Sequence, residues 1–164
     1  MHTVADQQLI ISWLNDAYAL ETGIAEALEK QVDLANDHPV IQSGIQRHLD
    51  ATRGHAETVK SCLEQLGESP SSFKTGMASI GGKVQALTMG AAKDDLVKSA
   101  LNDYAAEHME IASYKAMIVA AEEIGQPAIV EACQGILRDE IAMAQWLDEQ
   151  MPSIVREAVQ QGAT

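Results

Sequence analysis

Apolar residues recur every three or four positions along four long stretches of this chain, and glycine, proline and polar clusters separate the stretches. From about Asp6 to Asn36 the stripe runs Ile10, Leu14, Ala17, Ile24 and Leu28, with no proline and one glycine, Gly23. That spacing predicts a long amphipathic helix. Asn36-Asp37-His38-Pro39 reads as a turn whose proline suits a first helical turn. A second helix is predicted over 39–66, with a stripe of Ile41, Ile45, His48 and Leu49, Thr52, His55 and Ala56, Val59, Leu63 and Leu66, stopped by Gly67-Glu68-Ser69-Pro70. A third is predicted over 94–124, ending at Gly125-Gln126-Pro127. A fourth is predicted over 127–151, where Pro152 is expected to break it and leave a short tail.

The segment between the second and third helices is glycine-rich but carries Met77, Ile80, Val84 and Leu87 at helical spacing, which predicts a short helix over about 76–90 inside a long connection. Such a link can run the length of a bundle. The expected architecture is therefore all-α, two hairpins joined by a long crossover, the ferritin-like topology of four-helix bundles, in a single domain over 1–164. An ungapped match of Leu14–Ala25 with Leu101–Ala112, sharing Leu, Asn, Asp, an Ala, Ile and Ala, fits duplicated hairpins as well as chance similarity between helices.

Composition narrows the reading. The chain has 164 residues, of which 46% are hydrophobic and 4% aromatic, with four prolines, which suits one helical domain with a sizeable core. A formal net charge of -13 repels phosphate backbones and anionic lipid, so neither nucleic acid nor a membrane surface is an expected partner, whereas cations are. Cys62 and Cys133 lack metal-site spacing and belong to no dense disulfide framework, so both read as reduced thiols. No segment approaches the roughly 18–20 apolar residues of a membrane span, and MHTVADQQLI lacks the basic region and apolar run of a signal peptide. A cytoplasmic location is the expectation.

The chemistry lies on the inward stripes. Glu21 falls between Ala17 and Ile24, and Glu140 falls between Ile136 or Leu137 and Met143, Ala144 and Leu147. A bare buried carboxylate costs several kcal/mol or takes up a proton, so it persists when paired or metal-bound. Glu107 and Glu110, three apart, share a face of the third helix with Asp103 and Tyr114. His55 lies on the inward stripe of the second helix, with His48 seven residues earlier. A carboxylate-rich set with one or two imidazoles suits iron or manganese better than a closed zinc site, and two divalent ions would balance four carboxylates. Any one of these glutamates, taken singly, is as well explained as an edge residue with its head in water, and His48 alone as a hydrogen-bonded core or boundary residue. Convergence from four helices is what favours a site.

The phrase Glu107-His108-Met109-Glu110-Ile111-Ala112-Ser113-Tyr114 resembles the third-helix signature of the bacterial YciE/YciF stress-protein group of the ferritin-like superfamily. Asn15-Asp16-Ala17-Tyr18-Ala19-Leu20-Glu21, and His48-Leu49 followed by Thr52, Gly54 and His55, fit the same group, and the resemblance extends from about Leu9 to Met151. In that superfamily helix 1 gives a Glu, helices 2 and 4 each give Glu-x-x-His, and helix 3 gives one or two Glu. The resemblance thus implies Glu21, His55, Glu107, Glu110 and Glu140 as metal ligands. Thr52 and Met143 stand where a carboxylate and an imidazole are expected. Asp50 is no substitute for the carboxylate, because five residues before His55 is about 140° round the helix. What is implied is one or two iron or manganese ions, oxidation of Fe(II) by dioxygen or peroxide, or removal of peroxide, under stress, and a homodimer. No separate nucleophile or general base is evident. The rival is a metal-poor ferritin-like structural or interaction protein in which Glu21 and Glu140 pair with His55 or with each other; an iron-storage cage is a third option.

Overall fold

The computed structural model describes residues 4–70 and 95–162, with side chains from 7 to 70 and from 95 to 160. Four helices account for nearly all of it: α1 (Val4–Leu34), α2 (Pro39–Gln65), α3 (Asp95–Glu123) and α4 (Pro127–Gly162). The short helix expected over 76–90 lies outside the described residues.

Local chemistry accounts for the helix ends. Pro39 opens α2 at a position whose N–H has no helical acceptor to lose. Gly67 and Gly125 close α2 and α3 with φ of 79° and 67°, a region costly for any residue with a Cβ. At each, the glycine N–H bonds back to the carbonyl of Glu64 or Glu122, and the next N–H, of Glu68 or Gln126, reaches Leu63 or Ala121. These paired bonds satisfy carbonyls that a helix end otherwise leaves bare.

Helix α1 packs most extensively on α2, and α3 on α4; α2 also meets α4, and α1 meets α3. The cross-hairpin contacts reveal direction. Gln31 bonds Asp103 while Glu21 bonds Tyr114, so α1 and α3 are antiparallel. His38 meets Glu157 while His55 meets Glu140, so α2 and α4 are antiparallel too. Since α1 and α2 form a hairpin, α2 and α3 run the same way.

The apolar core is in two pieces. One joins Ile10, Leu14, Leu63, Met117, Ile129 and Ile136 with their neighbours, including the free thiols Cys62 and Cys133. Burial pushes both thiols up, Cys133 to about 12, which keeps them protonated and poorly reactive. The other piece joins Leu28, Ala35, Ile45 and Leu49. Glu21, His48, Thr52, His55, Glu107, Glu110 and Glu140 are all buried as well. Most of them occupy stretches of the helices between the two pieces, and His48 lies at the edge of the second beside Ile45 and Leu49, so a polar layer adjoins both pieces of core.

One expectation is overturned. Helix α4 does not break at Pro152 but continues to Gly162. A helical proline removes one N–H and crowds the preceding turn. Here it sits exposed, where water can take the carbonyl of Asp148 that the missing N–H leaves free. Tertiary contacts hold the following turns: Ile154 is buried, and Glu157 lies 3.1 Å from Nδ1 of His38 at the start of α2. No helix among the described residues is long and apolar enough to cross a membrane.

Gly44 on α2 makes room for a side chain of α4. The indole of Trp146 occupies the place where a Cβ on residue 44 would stand. Gly44→Ala is expected to destabilise the protein by about 1–3 kcal/mol through overpacking, despite the better helix propensity of alanine. Gly54, with nothing within 4 Å of a built Cβ, is the control: Gly54→Ala should be neutral or stabilise by roughly 0.5–1 kcal/mol. Urea unfolding midpoints of the two variants check this.

Candidate metal centre

Each helix sends at least one carboxylate or imidazole into the layer, because each carries it on the buried face of the helix. Glu21 on α1, Glu107 and Glu110 on α3, and Glu140 on α4 are each at most 1% exposed, and His48 and His55 on α2 are 3% and 6% exposed. His48 and His55 lie two helical turns apart with buried Thr52 between them, so one helix presents imidazoles at two depths.

The donors fall into two groups of three. Glu21, His55 and Glu140 form one, and His48, Glu107 and Glu140 form the other; within each, one ligand atom per residue lies within 4.8 Å of the rest. Glu140 belongs to both. In the first, His55 Nδ1 is 2.8 Å from Glu140 Oε1 and 3.6 Å from Glu21 Oε2. In the second, His48 Nε2 is 2.8 Å from Glu107 Oε1.

The two 2.8 Å approaches are not aligned as hydrogen bonds. His48 Nε2, His55 Nδ1, Glu21 Oε2, both oxygens of Glu107, Glu110 Oε1 and Glu140 Oε1 are all buried without a hydrogen-bond partner. So many orphaned acceptors in a folded core is costly unless something satisfies them together. A divalent cation does so, and a set of carboxylates with two imidazoles suits iron or manganese.

Outer contacts orient these groups. His55 Nε2 lies 3.1 Å from Asp139 Oδ2, an arrangement in which a carboxylate holds the ring and leaves Nδ1 for the interior. Tyr114 donates its hydroxyl to Glu21 Oε1 at 2.5 Å. Gln31 donates to Asp103 Oδ1 at 2.8 Å, one turn from Glu107.

Protonation reflects the same crowding. Burial, then the nearby carboxylates, push Glu107 up to about 10 and Glu110 up to about 11. Burial also raises Glu21. Burial disfavours a charged His55, but the carboxylates of Glu140 and Glu21 outweigh it and push the imidazole up to about 11. Burial would raise Glu140 as well, yet His55 and Glu107 beside it hold it below the usual carboxylate range. For His48 burial outweighs the opposing pull of Asp103, Glu140 and Glu21 and lowers the imidazole. Burial pushes Asp103 up to about 6.

The five residues expected from the sequence are therefore all buried in the layer. Glu21, His55, Glu107 and Glu140 fall within the three-residue groups. Glu110 feels the charges of Glu21, Glu140 and Glu107 but belongs to neither group. Three participants were not put forward as ligands or their supports. His48 was visible through its seven-residue offset from His55, but that offset does not reveal the Glu107 it meets. Asp139 lies beside Glu140 and is exposed, so no burial pattern marks it. Tyr114 was placed on the correct face, without its partner.

Residues 5–160 match the family described as a domain of unknown function (DUF892). The chain belongs to that family. A solved protein from Xanthomonas campestris pv. campestris is 29% identical to this DUF892 chain, with a TM-score of 0.83 over 98% of this chain and 99% of the other. The stress protein YciF of E. coli is 23% identical, with a TM-score of 0.76 over 95% and 99% of the two chains. A Desulfovibrio desulfuricans bacterioferritin, itself a diiron protein, is 18% identical, with a TM-score of 0.77 over 93% of this chain and 83% of its own. At these identities the last two bear on fold alone. They agree with the ferritin-like architecture expected from the sequence.

The raised values give the metal-free protein a pH signature. A group bound more tightly to its proton in the folded state contributes stability that is full below its unfolded pKa and lost as pH rises through its folded one. For Glu107 and Glu110 the loss runs from the ordinary 4.5 to about 10 and 11, and for His55 from 6.5 to about 11. Chelator-treated protein should therefore unfold at lower urea as pH is raised from about 6 to about 8.5, and saturating Mn(II) should abolish the trend, since the ion takes the place of the protons. An apo midpoint that climbs with pH contradicts this.

Proposed function

We propose that this chain is a di-metal carboxylate protein that takes up two iron or manganese ions and oxidises Fe(II) with dioxygen or peroxide, or removes peroxide, as part of a stress response. Glu21, His55 and Glu140 hold one ion; His48, Glu107 and Glu140 hold the other; Glu110 adjoins both as a further carboxylate. The observation that carries the reading is the sharing of Glu140 between two groups of buried, orphaned donors drawn from all four helices. His48 supplies the second imidazole from α2, at a site where Met143 leaves α4 without one.

The bound metal supplies the redox chemistry. The protein's part is to hold the donors, exclude water with the two apolar pieces of core, and keep Glu140 ionised between the groups. The surplus of acidic charge favours the approach of cations.

A second reading has its own support. His55 with Glu140 is an ion-pair contact at 2.8 Å, and His48 lies equally close to a Glu107 that keeps its proton, so the layer can limit its buried charge without any metal. On that reading the bundle is a structural or interaction protein.

Anaerobic loading with Fe(II), metal analysis and an Fe(II) oxidation assay separate the two. The parent should hold about two ions per chain, His48→Ala about one, and Glu140→Ala fewer than one, with oxidation failing in Glu140→Ala. A parent that retains no metal and oxidises Fe(II) no faster than buffer establishes the structural reading instead.

We further infer a homodimer. Leu101, Met109 and Val119 stand exposed along α3 with Ala105, Ala112 and Ala116 between them, a stripe without acids in a chain of net charge -13. Two copies can meet there without bringing like charges together. Sedimentation should give twice the chain mass of 17.6 kDa, and Met109→Glu should shift it toward one chain; a monomeric parent refutes the inference.

A further inference from the structure

Tyr114 is buried, and the short bond from its hydroxyl to Glu21 Oε1 crosses from α3 to α1. The ring belongs to the apolar piece of core below the polar layer and is held there with Met117, one turn further along α3. At 2% exposure the ring is enclosed by that core. Burial, then the negative charge of Glu21, hold the phenol neutral, so it can only donate to that carboxylate. The other oxygen, Glu21 Oε2, has no hydrogen-bond partner and faces His55 Nδ1 at 3.6 Å. One carboxylate thus carries two distinct oxygens, one occupied by a fixed donor and one open toward the metal-binding group.

Resting on the metal reading above, we propose that Tyr114 is a positioning residue that restricts Glu21 to a single metal-binding oxygen and so biases the centre against Ca(II) in favour of smaller divalent ions. Calcium takes six to eight oxygens and gains from carboxylates that bind through both of theirs. Manganese, iron and cobalt accept nitrogen donors and fewer ligands. A Glu21 freed of its hydroxyl partner has a second oxygen to offer and loses that discrimination. Tyr114→Phe removes the hydroxyl and leaves the ring in its packing.

The test compares the parent with Tyr114→Phe, both as full chains, using Co(II) as a spectroscopic probe and Mn(II) and Ca(II) in competitive titration. Gaining an oxygen donor raises the coordination number of Co(II), which weakens its visible d–d absorption. The variant is expected to show weaker bands than the parent at saturation, and its preference for Mn(II) over Ca(II) should fall by roughly tenfold. An unchanged spectrum with an unchanged preference overturns the proposal while leaving the metal centre intact. A parent that binds no Co(II) overturns both. A crystal structure of the parent loaded with Mn(II) decides the matter even if the variant fails to fold. Glu21 should coordinate through one oxygen with Tyr114 still on the other, and a Glu21 bound through both oxygens overturns the proposal.

Discussion

Four glutamates buried in one layer of a helical bundle are the constraint from which the rest of this protein follows. Like charges in a low-dielectric interior cannot all be ionised at once unless cations balance them. Without metal, the layer resolves the conflict with protons: Glu107 and Glu110 are pushed far above the ordinary carboxylate range, and His55 takes a proton to offset Glu140. In the proposed metal-bound state divalent ions would relieve the same conflict in place of the protons.

The arrangement depends on hairpins crossing. Contacts within each hairpin are extensive, and the larger apolar piece already joins all four helices, but neither hairpin alone assembles a complete group of donors. Glu21 and His55 come from one hairpin and Glu140 from the other; His48 comes from the first, Glu107 and Glu140 from the second. Helix α4 is the hinge of this logic, since Glu140 serves both groups while Asp139 next to it steadies His55 from the outside. Gly44 contributes at a distance by letting Trp146 press α4 close to α2. Placing the donors on long helices rather than loops gives them a rigid frame.

The departures from the symmetric ligand pattern are also informative. Thr52 is buried where the resemblance leads one to expect a carboxylate, and Met143 is half-buried where it leads one to expect an imidazole. His48, one turn before Thr52, reaches Glu107 across the bundle. An imidazole is thereby contributed by α2 instead of α4, and both imidazoles come from a single helix. Tyr114 and Asp139 each occupy one face of a donor and leave the other turned inward, so the inward-facing atoms are selected by hydrogen bonding as well as by position.

Much of the fold was legible in the chain because the helical period is local. Ile10, Leu14 and Leu28 mark one buried face without reference to any other helix, and Gly125-Gln126-Pro127 ends α3 by its own backbone chemistry. The same local logic turned Glu21, Glu107, Glu110 and Glu140 inward. It failed at Pro152, where a break was expected, because Ile154 and the contact of Glu157 with His38 outweigh the loss of one hydrogen bond, and those contacts lie on another helix. It also could not show that His48 meets Glu107, that Glu140 is common to two groups, or that exposed Asp139 steadies His55. The sequence by itself determined which side chains point into the bundle, since that depends on neighbours three and four residues away. Only the tertiary structure decided which of them meet, because that depends on the register between helices far apart in the chain.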